Sequence, residues 1–254
     1  MIHFFSTLSK KGGRPDFSEV SVDMHSHLLP GIDDGAKNTE DSIRLINGLQ
    51  ELGFEHFITT PHTMKELYPN SRESIEASFQ VLRKELSSSL TLSYSSEYFL
   101  DEYFMELMEE DKLITLPGNR ILLEFSQISK PMELEEQLFQ IHLKGYKVIL
   151  AHPERYLFFH QKMNFHFPRL KDMDIDFQIN ALSLSGYYGE SIRKVAEKLI
   201  ADGMVEFIGS DTHHDNHLKA LAKVQDNKYY QKLLDSGKLQ NRSLLTTNAR
   251  VAHE

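Results

Sequence analysis

The chain has 254 residues, a formal charge of −9, 40% hydrophobic residues and no cysteine. The negative balance argues against nucleic acid as a main partner, which needs a basic footprint, and the missing thiols exclude disulfides, thiolate zinc sites, iron–sulfur clusters and a cysteine nucleophile. No apolar run nears the ~20 residues of a membrane span. The opening Met1-Ile-His-Phe-Phe-Ser is too short for a signal peptide's apolar core, so a cytoplasmic protein, not a membrane protein, is expected.

Residues 1–19 carry a Lys-Lys-Gly-Gly-Arg-Pro turn cluster without periodicity and read as an N-terminal extension to a single domain over residues 20–254. The apolar run 20–24 reads as a strand ending in His25-Ser26-His27. Residues i and i+2 of a strand share a face, so both imidazoles project together, and the turn Pro-Gly-Ile-Asp33-Asp34-Gly brings two carboxylates back toward them. A helix is expected from Thr39, with Glu40 and Asp41 in its first turn, where carboxylates suit the helix dipole. Ile43, Ile46, Leu49 and Leu52 keep helical spacing, Gly53 can cap the end, and strand plus turn follow to His62. Strands are next expected at 90–97 and 121–126. A second helix through Leu134, Leu138 and Ile141 ends at Gly145 before a strand over 146–152. After a strand at 175–181, a third copy runs Ile192, Val195, Leu199 and Gly203 into an apolar strand ending near Asp211-Thr-His213.

Seven strands separated mostly by helical stretches imply parallel βα units, in a closed barrel or an open doubly wound sheet. A doubly wound sheet would carry a glycine-rich phosphate loop after the first strand; histidines stand there instead. His, Asp or Glu recur at or near the ends of six of these strands: His25 and His27, His62, Glu97, Glu124, His152, and Asp211 with His213. In a βα barrel those ends converge on the face where active sites form. His and carboxylate ligands without thiolate suit manganese, iron or zinc, and cations ~3.5–4 Å apart can clamp a phosphoryl group and activate a water.

His25-Ser-His27, Asp33, Pro61-His62, Glu97, Glu124, His152-Pro and Asp211-Thr-His213, in that order, resemble the PHP (polymerase and histidinol phosphatase) superfamily. Within it, His-Ser-His-Leu-Leu-Pro-Gly-Ile-Asp-Asp-Gly-Ala-Lys and Ala-His-Pro-Glu-Arg-Tyr are similar to the manganese-dependent protein-tyrosine phosphatases of bacterial capsule and exopolysaccharide loci. The resemblance implies a distorted seven-stranded (β/α)7 barrel with two to three metal ions, manganese foremost. It places one ion on His25, His27, Glu97 and Asp211, a second on Glu97, Glu124 and His152, and a third on Asp33, His62 and His213. Asp34 can take the place of Asp33, which spacing alone does not separate.

Arg155 matches a family arginine that binds the substrate phosphate, a role suited to a planar guanidinium. The family's second arginine, several residues after Asp-x-His, is missing from His213-His-Asp-Asn-His217-Leu-Lys219, which leaves His217 or Lys219 to supply a cation. The implied activity is hydrolysis of phosphotyrosine on a tyrosine-kinase tail by a metal-bound hydroxide. Its rivals are a small-molecule phosphatase such as one for histidinol phosphate, a nuclease-like activity that the acidic balance disfavours, and a non-catalytic metal-bound regulator. The aromatics Tyr98, Phe99, Tyr103 and Phe104, and Tyr187-Tyr188, read equally well as cleft lining or as packing.

Overall fold

Strand and helix alternate through residues 16–245, the part of the chain that the computed structural model describes. The strands are β1 (Val22–Asp23), β2 (His56–Thr59), β3 (His62–Thr63), β4 (Thr91–Tyr94), β5 (Glu97–Phe99), β6 (Arg120–Glu124), β7 (Lys147–Ala151), β8 (Asp176–Asn180) and β9 (Phe207–Gly209). Around them lie α1 (Thr39–Glu51), α2 (Arg72–Glu85), α3 (Glu102–Glu109), α4 (Leu134–Leu143), α5 (Leu157–His160), α6 (Met163–Asp172), α7 (Ala181–Leu184), α8 (Glu190–Ala201), α9 (Asp215–Leu221) and α10 (Lys228–Asp235). Helix α1 begins at Thr39, as its acidic first turn predicts, and Asn38 accepts the Asp41 amide as its N-cap.

Every strand pairing is parallel, in a three-stranded sheet ordered β1-β2-β4 and a six-stranded sheet ordered β3-β5-β6-β7-β8-β9. The expected α/β class with parallel strands is therefore present, and among the described residues nine strand segments stand where seven strands were expected. The second and third expected strands are each broken in two. Pro61, which has no N–H for a ladder, interrupts the second, and Ser95-Ser96 interrupts the third. The backbone stays joined across the break by Ser95 N to Thr59 O and Glu97 N to Pro61 O.

Between β9 and β1 the ladder gives way to side chains. Asp23 accepts both the amide (2.9 Å) and the hydroxyl (2.6 Å) of Ser210. Buried Asn241 donates to Val22 O and Ile208 O. Above them Asp211 N donates to His25 O and His27 N to Thr212 O, forming a single parallel bridge, Ser26 to Thr212. This seam also explains why β1 is shorter than the expected 20–24: its partner on one side is a polar side chain.

Both faces of the sheets are buried, as parallel sheets require. Phe57, Leu123, Leu150, Phe177 and Ile208 join the large core that includes the helices. Val22, Ile58, Leu122, Ile149 and Phe207 face a second cluster with Leu244 from the C-terminal 3₁₀ turn. Of the expected N-terminal extension, residues 1–15 lie outside the described residues. Phe17 is fully buried, stacked on Phe54 with ring centroids 4.6 Å apart.

Among the described residues no helix is long and apolar enough to cross a membrane.

Candidate metal centre

The strand ends deliver the polar residues to one place. Glu97 opens β5 in register with His62 on β3, and Glu124 closes β6 opposite Phe99. His152 and Asp211, just past β7 and β9, both adopt left-handed backbone, at φ 36° and 50°. That conformation costs a non-glycine residue about 1–2 kcal/mol, and here it occurs at two residues whose side chains enter the cluster. Two glycines let the backbones approach. A Cβ on Gly209 would lie 2.6 Å from His25 Cβ, and one on Gly35 would lie 2.3 Å from His27 O.

Glu97 sits at the centre. Its Oε2 lies 3.1 Å from His25 Nε2, 3.4 Å from His27 Nε2 and 3.2 Å from His62 Nδ1, while Oε1 lies 2.9 Å from His152 Nε2. Asp211 Oδ1 stands 3.4 Å from His25 Nε2 and 3.3 Å from His27 Nε2. Three groups have donor atoms close enough to share a cation: His25, His27, Glu97 and Asp211; His62, Glu97 and Glu124; and His27, Asp34, His62 and His213.

The first group is the set expected from the sequence. In the second, His62 completes the pair of glutamates, with His152 beside Glu97 and 3.9 Å from Glu124. In the third, the carboxylate is Asp34, not Asp33. The oxygens of Asp33, the first choice from the sequence, are taken up in hydrogen bonds: they accept from His27 Nδ1 at 2.7 Å, Gly35 N at 2.9 Å and His62 N at 3.1 Å. Asp34 Oδ1 instead lies 3.4 Å from His213 Nε2 and 3.6 Å from His62 Nε2.

The outer nitrogens of the rings are tied down. His27 donates from Nδ1 to Asp33, His213 from Nδ1 to Asp211 O, and His25 from Nδ1 to Gln178 Oε1 at 2.8 Å. Each bond leaves Nε2 as a lone-pair donor aimed into the cluster, the arrangement that orients metal-binding histidines. Gln178 Nε2 passes a hydrogen bond to Asn180 Oδ1, and Asn180 Nδ2 donates to Asp211 Oδ2 at 2.5 Å. A chain of amides thus links two residues of the first group. Gln178 and Asn180 are not among the residues the sequence points to. The alternation Asp-Phe-Gln-Ile-Asn in β8, with polar residues at every second position, is the signal that reveals them.

The donor set fits a cation. His62 Nδ1, Glu97 Oε2 and Glu124 Oε1 are buried without a hydrogen-bond partner, an arrangement that costs free energy unless another group satisfies it. Burial opposes charge on His27, yet the Asp33 carboxylate beside it raises its pKa well above the usual imidazole value. Against the same burial, Glu97 and Glu124 raise His62 to about 9. Burial would raise Glu97 and Asp211, but the imidazoles, His25 foremost, hold both well below the usual carboxylate range. Without a cation, protons on the rings balance the buried carboxylates.

Above the cluster opens a cleft of about 1520 Å³. Arg155 reaches into it, its Nη1 donating to Asp211 Oδ2 at 2.9 Å. Of the two residues considered as a second cation, Lys219 is exposed on α9 and does not line the cleft, whereas His217 is buried and does. Burial, then His214 and His213, push His217 down to about 4, so it is neutral near pH 7. Phe99 and Tyr188 line the cleft, while Tyr98 and Phe104 belong to the core. Tyr68 also lines it, on a tight turn closed by Met64 N to Tyr68 O and Tyr68 N to Met64 O, with its ring stacked over His62.

Comparison with known proteins agrees with this geometry. The chain is 28% identical to CapC of Staphylococcus aureus, over 92% of this chain and 94% of CapC. It is 27% identical to the tyrosine-protein phosphatase YwqE of Bacillus subtilis, over 76% of this chain and 77% of YwqE. A solved structure from work on YwqE and Streptococcus pneumoniae CpsB, described as metal-dependent tyrosine phosphatases, superposes with a TM-score of 0.74 at 25% identity, covering 87% of this chain and 94% of that one. The sequence pattern of the family described as capsular polysaccharide synthesis, CpsB/CapC, matches residues 21–251, and the chain belongs to that family.

Proposed function

We propose that this chain is a metal-dependent protein-tyrosine phosphatase that acts in the cytoplasm on the phosphotyrosine tail of a bacterial tyrosine kinase. The observation that carries this is a cation-shaped cluster, centred on Glu97, under a cleft that Arg155 enters, in a family with tyrosine-phosphatase members. In this reading His25, His27, Glu97 and Asp211 hold one cation. A second would be held by Glu97, Glu124 and His152, and a third by Asp34, His62 and His213, since a neutral imidazole offers one lone-pair nitrogen and His62 can serve only one of the two. Manganese is the preferred ion, with iron or zinc able to use the same donors. The seam between β1 and β9 supports reading the two sheets as one distorted (β/α)7 barrel, with residues 20–254 as one domain behind a 1–19 extension.

When bound, the cations would supply Lewis-acid stabilisation of the phosphoryl oxygens and a water acidic enough to attack phosphorus. The chain's own residues do the rest. Arg155 uses one N–H on Asp211 and keeps the others to orient the phosphate. Gln178, Asn180 and Asp33 hold the rings and Asp211 in place. Tyr68, Phe99 and Met105 line the cleft and would flank the peptide that carries the phosphotyrosine.

The test compares kcat/KM for a phosphotyrosine peptide with that for histidinol phosphate, both with manganese. Preference for the peptide is expected. Equal or reversed preference would overturn the tyrosine-phosphatase reading.

A further inference from the structure

Arg155 is the one arginine lining the cleft among the described residues. No arginine stands between His213 and Lys219, so Arg155 is the one guanidinium at the cleft to grip a phosphate among the described residues, and its orientation matters accordingly. Its one side-chain hydrogen bond among the described residues is to Asp211 Oδ2. A long side chain tied at one point keeps rotamer freedom that binding must remove.

The ring of Tyr188 stands where it can limit that freedom. The Arg155 guanidinium carbon lies over it, 4.4 Å from the centroid. The Tyr188 hydroxyl lies 3.4 Å from the same Asp211 oxygen that accepts from Arg155 and Asn180. Stacking engages the face of the guanidinium and leaves its in-plane N–H groups free. A second carboxylate in this place would compete with phosphate for those donors; an aromatic face does not. Tyr187, next in sequence, packs edge-on against the His217 ring, which braces the turn that carries Tyr188.

Resting on the phosphate role given to Arg155 above, we propose that Tyr188 is its positioning residue, holding the guanidinium plane on an aromatic platform so that the unshared N–H groups face the phosphate. It acts through Arg155 and not by stacking on the substrate's ring, and so serves aryl and alkyl phosphates alike.

The test uses the full-length, manganese-loaded protein. KM and kcat are measured for a phosphotyrosine peptide and for glycerol phosphate, and the Kd of inorganic phosphate is measured by calorimetry. Tyr188→Leu should raise both KM values and the phosphate Kd about 5- to 10-fold, with kcat changed less than about twofold. Tyr188→Phe should stay near wild type, since it keeps the face. In an Arg155→Ala background, Tyr188→Leu should change nothing further. Thermal unfolding and metal content, followed in parallel, should not move. A loss confined to the phosphotyrosine peptide, or a full loss repeated in the Arg155→Ala background, overturns the proposal. An Arg155→Ala protein that binds phosphate as the wild type does removes the phosphate role of Arg155 itself, a separate failure.

Discussion

His25, His27, Glu97 and Asp211 are held from several sides, whereas the residues that stand over them hang from turns. His25 and His27 have parallel backbone partners at Asp211 and Thr212 and a fixed acceptor on each outer nitrogen. Glu97 has a strand neighbour on either side. Tyr68, by contrast, sits on a turn closed by two backbone bonds, and Arg155 follows His152 in a short 3₁₀ turn. The rigid part gathers charge that must not move. The turn-borne part lines the cleft above it.

The largest effect should come from the centre of the rigid part. Glu97→Ala removes the carboxylate shared by four imidazoles, and activity should fall about 1000-fold or more with loss of bound metal. In metal-free protein it should also cost about 3–5 kcal/mol, because the rings lose their buried counter-charge; denaturant unfolding measures that. Gln178→Leu, which frees His25 Nδ1, should weaken metal binding about 10- to 100-fold in a chelator competition. If it weakens phosphate binding while sparing metal, the division between the two regions is misplaced.

What could be read from the sequence follows the same division. The strand-end histidines and carboxylates are visible because period-two spacing and strand-end placement are local facts, and the structure brings His25, His27, Glu97 and Asp211 together. Asp33 and Asp34 are adjacent, so no spacing separates them; the tight turn at Gly35 turns Asp33 inward to His27. His62 reaches Glu124 because Pro61 breaks the strand before it, a tertiary effect with no period of its own. The pairing of Arg155 with Tyr188 joins distant turns, and only the folded chain displays it. Seven strands were legible as segments, but the seam of Asp23, Ser210 and Asn241 is made by side chains that no strand pattern marks.

Two smaller effects sharpen the contrast. Burial lowers the His62 pKa, but Glu97 and Glu124 raise it further, to about 9 in the cation-free protein, so the ring is protonated at neutral pH and must lose its proton to bind a cation. Metal affinity should therefore rise with pH through neutrality, by about tenfold per unit for each proton displaced. Titration calorimetry in buffers of different ionisation enthalpy reads the released protons. A flat affinity from about pH 7 upward would contradict the charge balance described for the cluster. Smallest is Arg155→Lys: a point charge in place of a planar fork should raise KM for the phosphotyrosine peptide about 5-fold and leave metal content alone. A loss as large as that of Glu97→Ala would erase the distinction between cluster and wall.

The central claim is a cluster of cations gathered around Glu97. It is tested most directly by a crystal structure of the manganese-loaded protein with anomalous scattering recorded at the metal edge. Two or three peaks, one of them shared between Glu97 and the His25, His27 and Asp211 side chains, are expected. Fewer than two peaks on these residues, in protein that still hydrolyses the phosphotyrosine peptide, would contradict the account.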